Sequence, residues 1–323
     1  MGYLIDVLLI VMELRQLRYF IGASEAGSLL KASAMLHVAQ PALSQQIASL
    51  EHEVGARLFD RSSRGVALTE AGKVFLEHAR VVLLDAERAR SAVRDSTATP
   101  SGDVALGLTT TVALAATMPI LSACRAELPK VRLKIVEAYS GFLRERLLSG
   151  RLDMALLYGD TTEIGLSNTP LLNDQLVYVS NAANLQLPPK ITLEDLARSP
   201  LVLPGNEHGL RRLINEACAP LQLELNVVAE IESLSSVKRA AEIGIGNTIL
   251  PQGSVAEEVS AGRLRTAIIH SPQMLRRVVC ATNAARPSSV SVNAVNALVH
   301  RVIHGMVVSN AWPGTWIGDT QRH

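Results

Sequence analysis

The stretch His37-Val-Ala-Gln-Pro-Ala-Leu-Ser-Gln-Gln-Ile47 decides how the N-terminal region is read. Gln40-Pro41 opens a helix, because proline at the first helical position gives up an N–H that has no intrahelical partner. From there Leu43, Ile47, Leu50 and Val54 recur at spacings of 4, 3 and 4 and make one apolar face. Gln40, Ser44, Gln45 and Ala48 point elsewhere. Upstream, Leu14 to Ala26 reads as a helix with Leu14, Leu17, Phe20 and Ile21 on its apolar side, ended by Gly27. Ser28 is a good N-cap for a second helix, Leu29 to Leu36, and His37-Val38-Ala39 is the short connection. Two short helices joined by a tight turn, the second carrying small polar side chains, fit a helix-turn-helix with its recognition helix in a major groove. Glutamine can pair bidentately with adenine, and serine with several base edges. Downstream, Arg57, Arg61 and Arg64 surround a turn at Gly65 between short apolar strands. That reads as a wing whose tip reaches phosphates or the minor groove.

Charge limits this reading. The 323-residue chain carries 31 Lys+Arg against 30 Asp+Glu, a net charge of +1. Residues 12–68 hold six basic and five acidic side chains, so any affinity for nucleic acid must come from placed residues and not from a bulk field. With 48 % apolar residues and this length, two or three domains with real cores are expected. No run approaches the roughly 20 apolar residues of a membrane helix. Cys124, Cys218 and Cys280 are sparse and have no C-x-x-C spacing. This argues against a disulfide framework or zinc cluster and for a reducing cytoplasm. Residues 1–11 are apolar but lack a basic start and a cleavage site. Met12 opens the patterned segment and is the expected natural start, with 1–11 an upstream extension.

Thr69 caps a long helix over 70–95. Phe75, Ala79, Val82, Ala86, Ala89 and Val93 follow it at heptad spacing, which predicts a dimerising seam. Residues 96–102 read as a hinge, and strand-like and helix-like runs alternate over 103–305, predicting a parallel-rich α/β domain. Two units with the same order of elements, one starting at Val104 and one at Leu201, suggest two lobes. Ligands of such sheets sit beyond the strand ends, at helix N-termini. Three polar turns bound the expected cleft: Thr109, Thr110 and Thr111; Asn206, His208, Gly209 and Arg211; and Ser233, Ser235 and Ser236. Hydroxyls, helix N–H groups and a cation favour an anionic effector. Residues 306–323 read as an irregular tail.

Glu13-Leu-Arg-Gln-Leu-Arg-Tyr-Phe20, the stretch from His37 to Ile47, Leu50-Glu51, Gly55, Leu58-Phe59, Arg61 and Leu68-Thr-Glu-Ala-Gly72 together resemble the LysR-type transcriptional regulators. One departure is Leu29-Leu30, where the family usually has an aromatic. The resemblance implies a winged helix-turn-helix over 12–69, a linker helix pairing subunits, and a co-inducer domain related in fold to periplasmic binding proteins, its lobes formed by 103–178 with 269–305 and by 179–268. It places Gln40, Pro41, Ser44 and Gln45 at the groove, Ser28 and Lys31 near the DNA backbone, and Arg57, Arg61 and Arg64 at the wing. His208-Gly-Leu-Arg211 is similar to the branch of nitrogen-assimilation control regulators. The expected partners are promoter DNA, a small effector, RNA polymerase and further copies of the chain as a dimer of dimers.

The rival readings are an α/β enzyme or a solute-binding protein with an accessory helical module. No G-x-S-x-G, P-loop, G-x-G-x-x-G or H-E-x-x-H motif is present, so no catalysis and no cofactor are expected. His300 and His304 have helical metal-ligand spacing but no accompanying carboxylate, and read as a helix face.

Overall fold

A computed structural model describes residues 12–62, 65–95, 99–159, 162–271 and 274–318. The expected extension 1–11, Arg64 of the wing and part of the hinge lie outside them. The chain divides into two compact units, Met1–Ser96 and Thr97–His323.

The first unit is helical with a small hairpin: α1 Leu14–Ala26, α2 Leu29–Met35, α3 Gln40–Val54, β1 Phe59–Ser62, β2 Gly65–Leu68 and α4 Glu70–Asp95. Its core is Leu17, Phe20, Leu43, Ile47, Leu50 and Leu58. Burying such side chains contributes roughly 1.5–3 kcal/mol each. Gly27 stops α1 in the left-handed conformation, φ 62°, and its carbonyl accepts the Val66 N–H at 3.0 Å, which seats the hairpin on the end of α1. Val54, expected on the buried face of α3, is instead exposed. It lies in the last turn before the left-handed Gly55, past the reach of the core.

The second unit is α/β. Its elements are β3 Gly102–Leu108, α5 Thr110–Glu127, β4 Val131–Glu137, α6 Ser140–Leu148, β5 Met154–Tyr158, β6 Thr162–Glu163, β7 Leu166–Asn181, β8 Lys190–Ile191, α7 Leu193–Arg198 and β9 Leu201–Leu203. There follow α8 Gly209–Cys218, β10 Val227–Glu230, α9 Leu234–Glu242, β11 Thr248–Pro251, α10 Ala256–Ser260, β12 Leu264–Ile269, β13 Leu275–Asn283, α11 Val290–Val308 and β14 Gly314–Trp316. The main sheet runs β4-β3-β5-β13-β7-β12-β8. Strands β3, β4 and β5 are parallel, and β13 returns antiparallel between β5 and β7.

The lobes meet inside one strand. Residues Leu166–Gln175 of β7 pair with β13, and Leu176–Asn181 pair with β11 and β12. The crossing therefore lies a few residues earlier than the resemblance implies, because a 16-residue strand carries no break to mark it. One lobe packs Val104, Leu106, Ile120, Leu298 and Ile303 between its sheet and α5 and α11. The other has Leu196, Leu201, Ile214 and Ile249 on one side, and Val179, Val202, Ala241 and Leu250 on the other.

The C-terminal stretch is a correction to its reading as an irregular tail. Helix α11 continues to Val308, Trp312 is 2 % exposed, and β14 pairs with Leu172–Asp174 of β7. A three-residue strand preceded by Pro313 is too short to display a period, so only its burial reveals it.

Candidate nucleic-acid interface and ligand cleft

In the first unit α3 turns Leu43, Ile47 and Leu50 inward and leaves Gln40, Pro41 and Gln45 exposed. Ala39 caps α3 without a side-chain bond, so the first N–H groups of the helix stay open to an anion. Ser44 is half-buried, with its Oγ 3.5 Å from Arg61 Nη1 on the wing. Behind this contact stands Glu51. Its Oε1 accepts the N–H groups of Leu58 at 2.8 Å and Phe59 at 3.0 Å, and its Oε2 accepts Arg61 Nη2 at 3.3 Å. One carboxylate thus joins the expected recognition helix to the wing, a role that the sequence reading did not give it. Arg57 is exposed and its carbonyl accepts the Thr69 hydroxyl at 2.7 Å. Ser28 caps α2 by accepting the Lys31 N–H, and the Lys31 side chain is exposed.

The heptad seam on α4 divides. Phe75 meets Phe20 edge-on at 5.2 Å, and Ala79 is 2 % exposed in the core of the same unit. Those two positions are therefore occupied within the chain. Heptad spacing alone cannot tell an internal partner from a second helix. Val82 and Ala89 are exposed and Ala86 half-buried, so the seam beyond Ala79 stays open, and the Val93 side chain lies outside the described residues.

In the second unit the residues expected to line a cleft fare differently. Arg211 is turned into its own lobe: it donates to Asn215 Oδ1 at 3.2 Å, Pro204 O at 3.3 Å and Glu230 Oε1 at 3.4 Å. His208 caps α8, its Nδ1 accepting the Leu210 N–H at 3.1 Å. Burial and the nearby Arg276 and Arg212 push its pKa down, against Glu232. Asn206 is exposed and accepts from Asn215, while Ser233 and Ser235 share a hydrogen bond at 3.0 Å and Ser236 is exposed. Gly209 begins α8 and is exposed. Thr109 caps α5 without a side-chain bond; its Oγ1 is buried and has no partner among the described residues. Thr110 is half-buried.

Thr111 leads into a buried polar chain that crosses the sheet from β5 to β7. Its hydroxyl lies 2.8 Å from the Tyr158 hydroxyl, which donates to Asp174 Oδ2 at 2.8 Å. Trp312 Nε1 donates to Asp174 Oδ1 at 3.0 Å. The Arg276 guanidinium, on the intervening β13, lies over the Tyr158 ring, 3.5 Å from its centroid. Burial pushes the Asp174 carboxyl up to about 6, against the Tyr158 and Trp312 donors and the Arg276 charge. Burial and the Asp174 charge hold the Tyr158 phenol above its ordinary range. The signal for this cluster was present: Asp174 and Arg276 are charged residues within β7 and β13, strands otherwise rich in buried apolar side chains.

A winged helix-turn-helix head with an exposed polar helix, joined to a two-lobed α/β domain, has the architecture of a DNA-binding transcriptional regulator, and the family matches establish that class. Residues 14–73 match the bacterial regulatory helix-turn-helix proteins of the lysR family, and residues 97–303 match the LysR substrate binding domain. The chain belongs to the LysR family of transcriptional regulators. It is 38 % identical to the nitrogen assimilation regulatory protein nac of Klebsiella aerogenes over 265 residues, 81 % of this chain and 86 % of that protein. A full-length OxyR variant from Pseudomonas aeruginosa shares its fold, with a TM-score of 0.71 at 24 % identity over 97 % of this chain and 99 % of that one. So does full-length CbnR complexed with target DNA, with a TM-score of 0.66 at 22 % identity over 91 % and 99 %. Among the described residues no helix is long and apolar enough to cross a membrane.

Proposed function

We propose that the chain reads a promoter or operator through α3 and its wing, and that an anionic small molecule bound between the lobes controls the outcome. Gln40, Ser44 and Gln45 supply the base contacts, the N-terminus of α3 and Lys31, Arg57 and Arg61 the backbone contacts. Pro41 sets the start of the helix. The open half of the α4 seam pairs subunits, and two dimers assemble on two operator regions. Ligand in the cleft shifts the relative placement of subunits, which alters DNA bending and contact with RNA polymerase. The chain acts by binding and not by catalysis, in the cytoplasm where its DNA is. The observation that carries this reading is the exposed polar face of α3 beside a wing whose Arg61 touches Ser44.

A mobility shift on DNA upstream of the gene for this chain tests it. Wild-type protein retards the fragment at low salt, and Gln45→Ala with Ser44→Ala abolishes discrimination from random DNA while leaving weak general binding. Equal binding to both fragments by the folded wild type would sink the proposal.

A further inference from the structure

Arg276 is a buried cation whose hydrogen-bonding capacity is unspent. The residue is 8 % exposed, yet among the described residues its guanidinium meets the face of Tyr158 and no hydrogen-bond acceptor. Its electrostatic counterpart, Asp174, stands opposite it in the strand register but commits both oxygens elsewhere, to Tyr158 and to Trp312. A guanidinium carries five N–H donors in a fixed fork. Here they meet no protein acceptor in a largely buried site, which is the condition an incoming acceptor relieves. The surroundings favour that acceptor. A Cβ built on Gly209, the first residue of the 10-residue helix α8, would lie 4.0 Å from both Arg276 Nη2 and Arg212 Nη2, so the start of that helix, its Leu210 N–H held by His208, borders the Arg276 guanidinium. Thr109 at the start of α5 keeps a buried hydroxyl without a partner among the described residues, two residues from the Thr111 that holds Tyr158.

We infer that Arg276 is the anchor of the ligand cleft and that the ligand it takes is a small monocarboxylate. This rests on the effector reading above and specifies it. One guanidinium fork matches one carboxylate. The carboxyl of Asp174 across the strand pair opposes a second negative charge, so a monoanion fits better than phosphate or a dicarboxylate. Arg211, the cation the sequence offered for this task, is spent within its own lobe.

The two tryptophans of the chain, Trp312 and Trp316, give the test its readout. In full-length protein carrying Trp316→Phe, Trp312 reports on Asp174 and its neighbours through their shared hydrogen bond. Acetate and benzoate are titrated separately against inorganic phosphate, each at ionic strength matched with sodium chloride. The expected result is a saturable fluorescence change with a carboxylate, at least about tenfold weaker with phosphate and about tenfold weaker in Arg276→Lys, which keeps the charge but loses the fork. Arg276→Gln abolishes it, and Arg132→Gln, at an exposed arginine paired with Asp103, leaves it nearly unchanged. Should the glutamine variant fail to fold, the lysine variant carries the comparison. Carboxylate binding of wild-type strength in Arg276→Lys, or tighter binding of phosphate, overturns the assignment. A neutral metabolite that raises the melting point when neither carboxylate does overturns the assignment and leaves the effector reading standing. Operator binding indifferent to every compound tried would fail both.

Discussion

Replacing Glu51 by glutamine should weaken the fold of the head and strengthen its general hold on DNA. In the wild type, Glu51 Oε1 accepts two backbone N–H groups, from Leu58 and Phe59, and Oε2 accepts Arg61. The amide keeps one oxygen for the two N–H groups, but these bonds lose their charge. Hydrogen bonds to a charged group contribute roughly 1.5–3 kcal/mol and neutral ones about 0.5–1.5, so the pair loses about 2 kcal/mol. The ion pair to Arg61 adds little, since the Arg61 side chain is 43 % exposed and such pairs contribute about 0–1 kcal/mol. The second effect has the opposite sign. In the wild type Glu51 offsets the charge that Arg61 brings to its phosphate, and with the carboxylate gone that contact counts in full, up to one further phosphate neutralised. Each added phosphate contact steepens the slope of log affinity against log salt by about 0.9, so the loss between 50 and 200 mM salt grows about 3.5-fold per head. Urea melts and fluorescence-anisotropy titrations on random-sequence DNA at several salt concentrations measure both quantities on one preparation. A Glu51→Gln head as stable as wild type, or one whose salt slope is unchanged, would refute the argument that this carboxylate joins the two elements and holds Arg61.

Three further outcomes follow from the same geometry. Val82→Glu, on the open half of the α4 seam, should shift sedimentation toward smaller species without lowering the melting point, whereas Phe75→Glu should unfold the head, where Phe75 packs on Phe20. Asp174 has its carboxyl raised from 3.8 to about 6, so the folded chain holds this proton where the unfolded chain releases it. Its contribution to stability therefore falls as pH rises from about 4 to about 6, by about 3 kcal/mol, and Asp174→Asn should remove that fall from the difference between the two pH profiles. Cys124, Cys218 and Cys280 are all buried, and burial pushes each thiol up, Cys280 to about 12. Thiol reagents should label none of them rapidly until the protein unfolds.

Legibility followed the range of the interactions. The head was readable because caps, spacings and the wing turn are set within a few residues, and Ser28, Thr69 and Gly27 act as their chemistry demands. Sequence reading failed where a local pattern was compatible with two partners. Phe75 and Ala79 obey the heptad yet serve an internal core, and Arg211 begins a helix as a ligand-binding cation would yet serves its own lobe. The buried chain from Thr111 through Tyr158 and Asp174 to Trp312 joins residues on four separate segments. No window of sequence brings them together, and Asp174, a charge inside a largely apolar strand, is the one member whose own surroundings in the sequence mark it.

Strand β7 is one continuous strand shared by both lobes, bulged at Leu171 and paired without interruption where its partners change from β13 to β11 and β12. A shared strand of that kind ties the alignment of one lobe to that of the other. It also makes the strand intolerant of changes in length. One residue deleted near Gln175 would turn the inward side chains of one lobe outward while leaving the other lobe correct, so the two halves of the domain share one alignment and must fold as one piece.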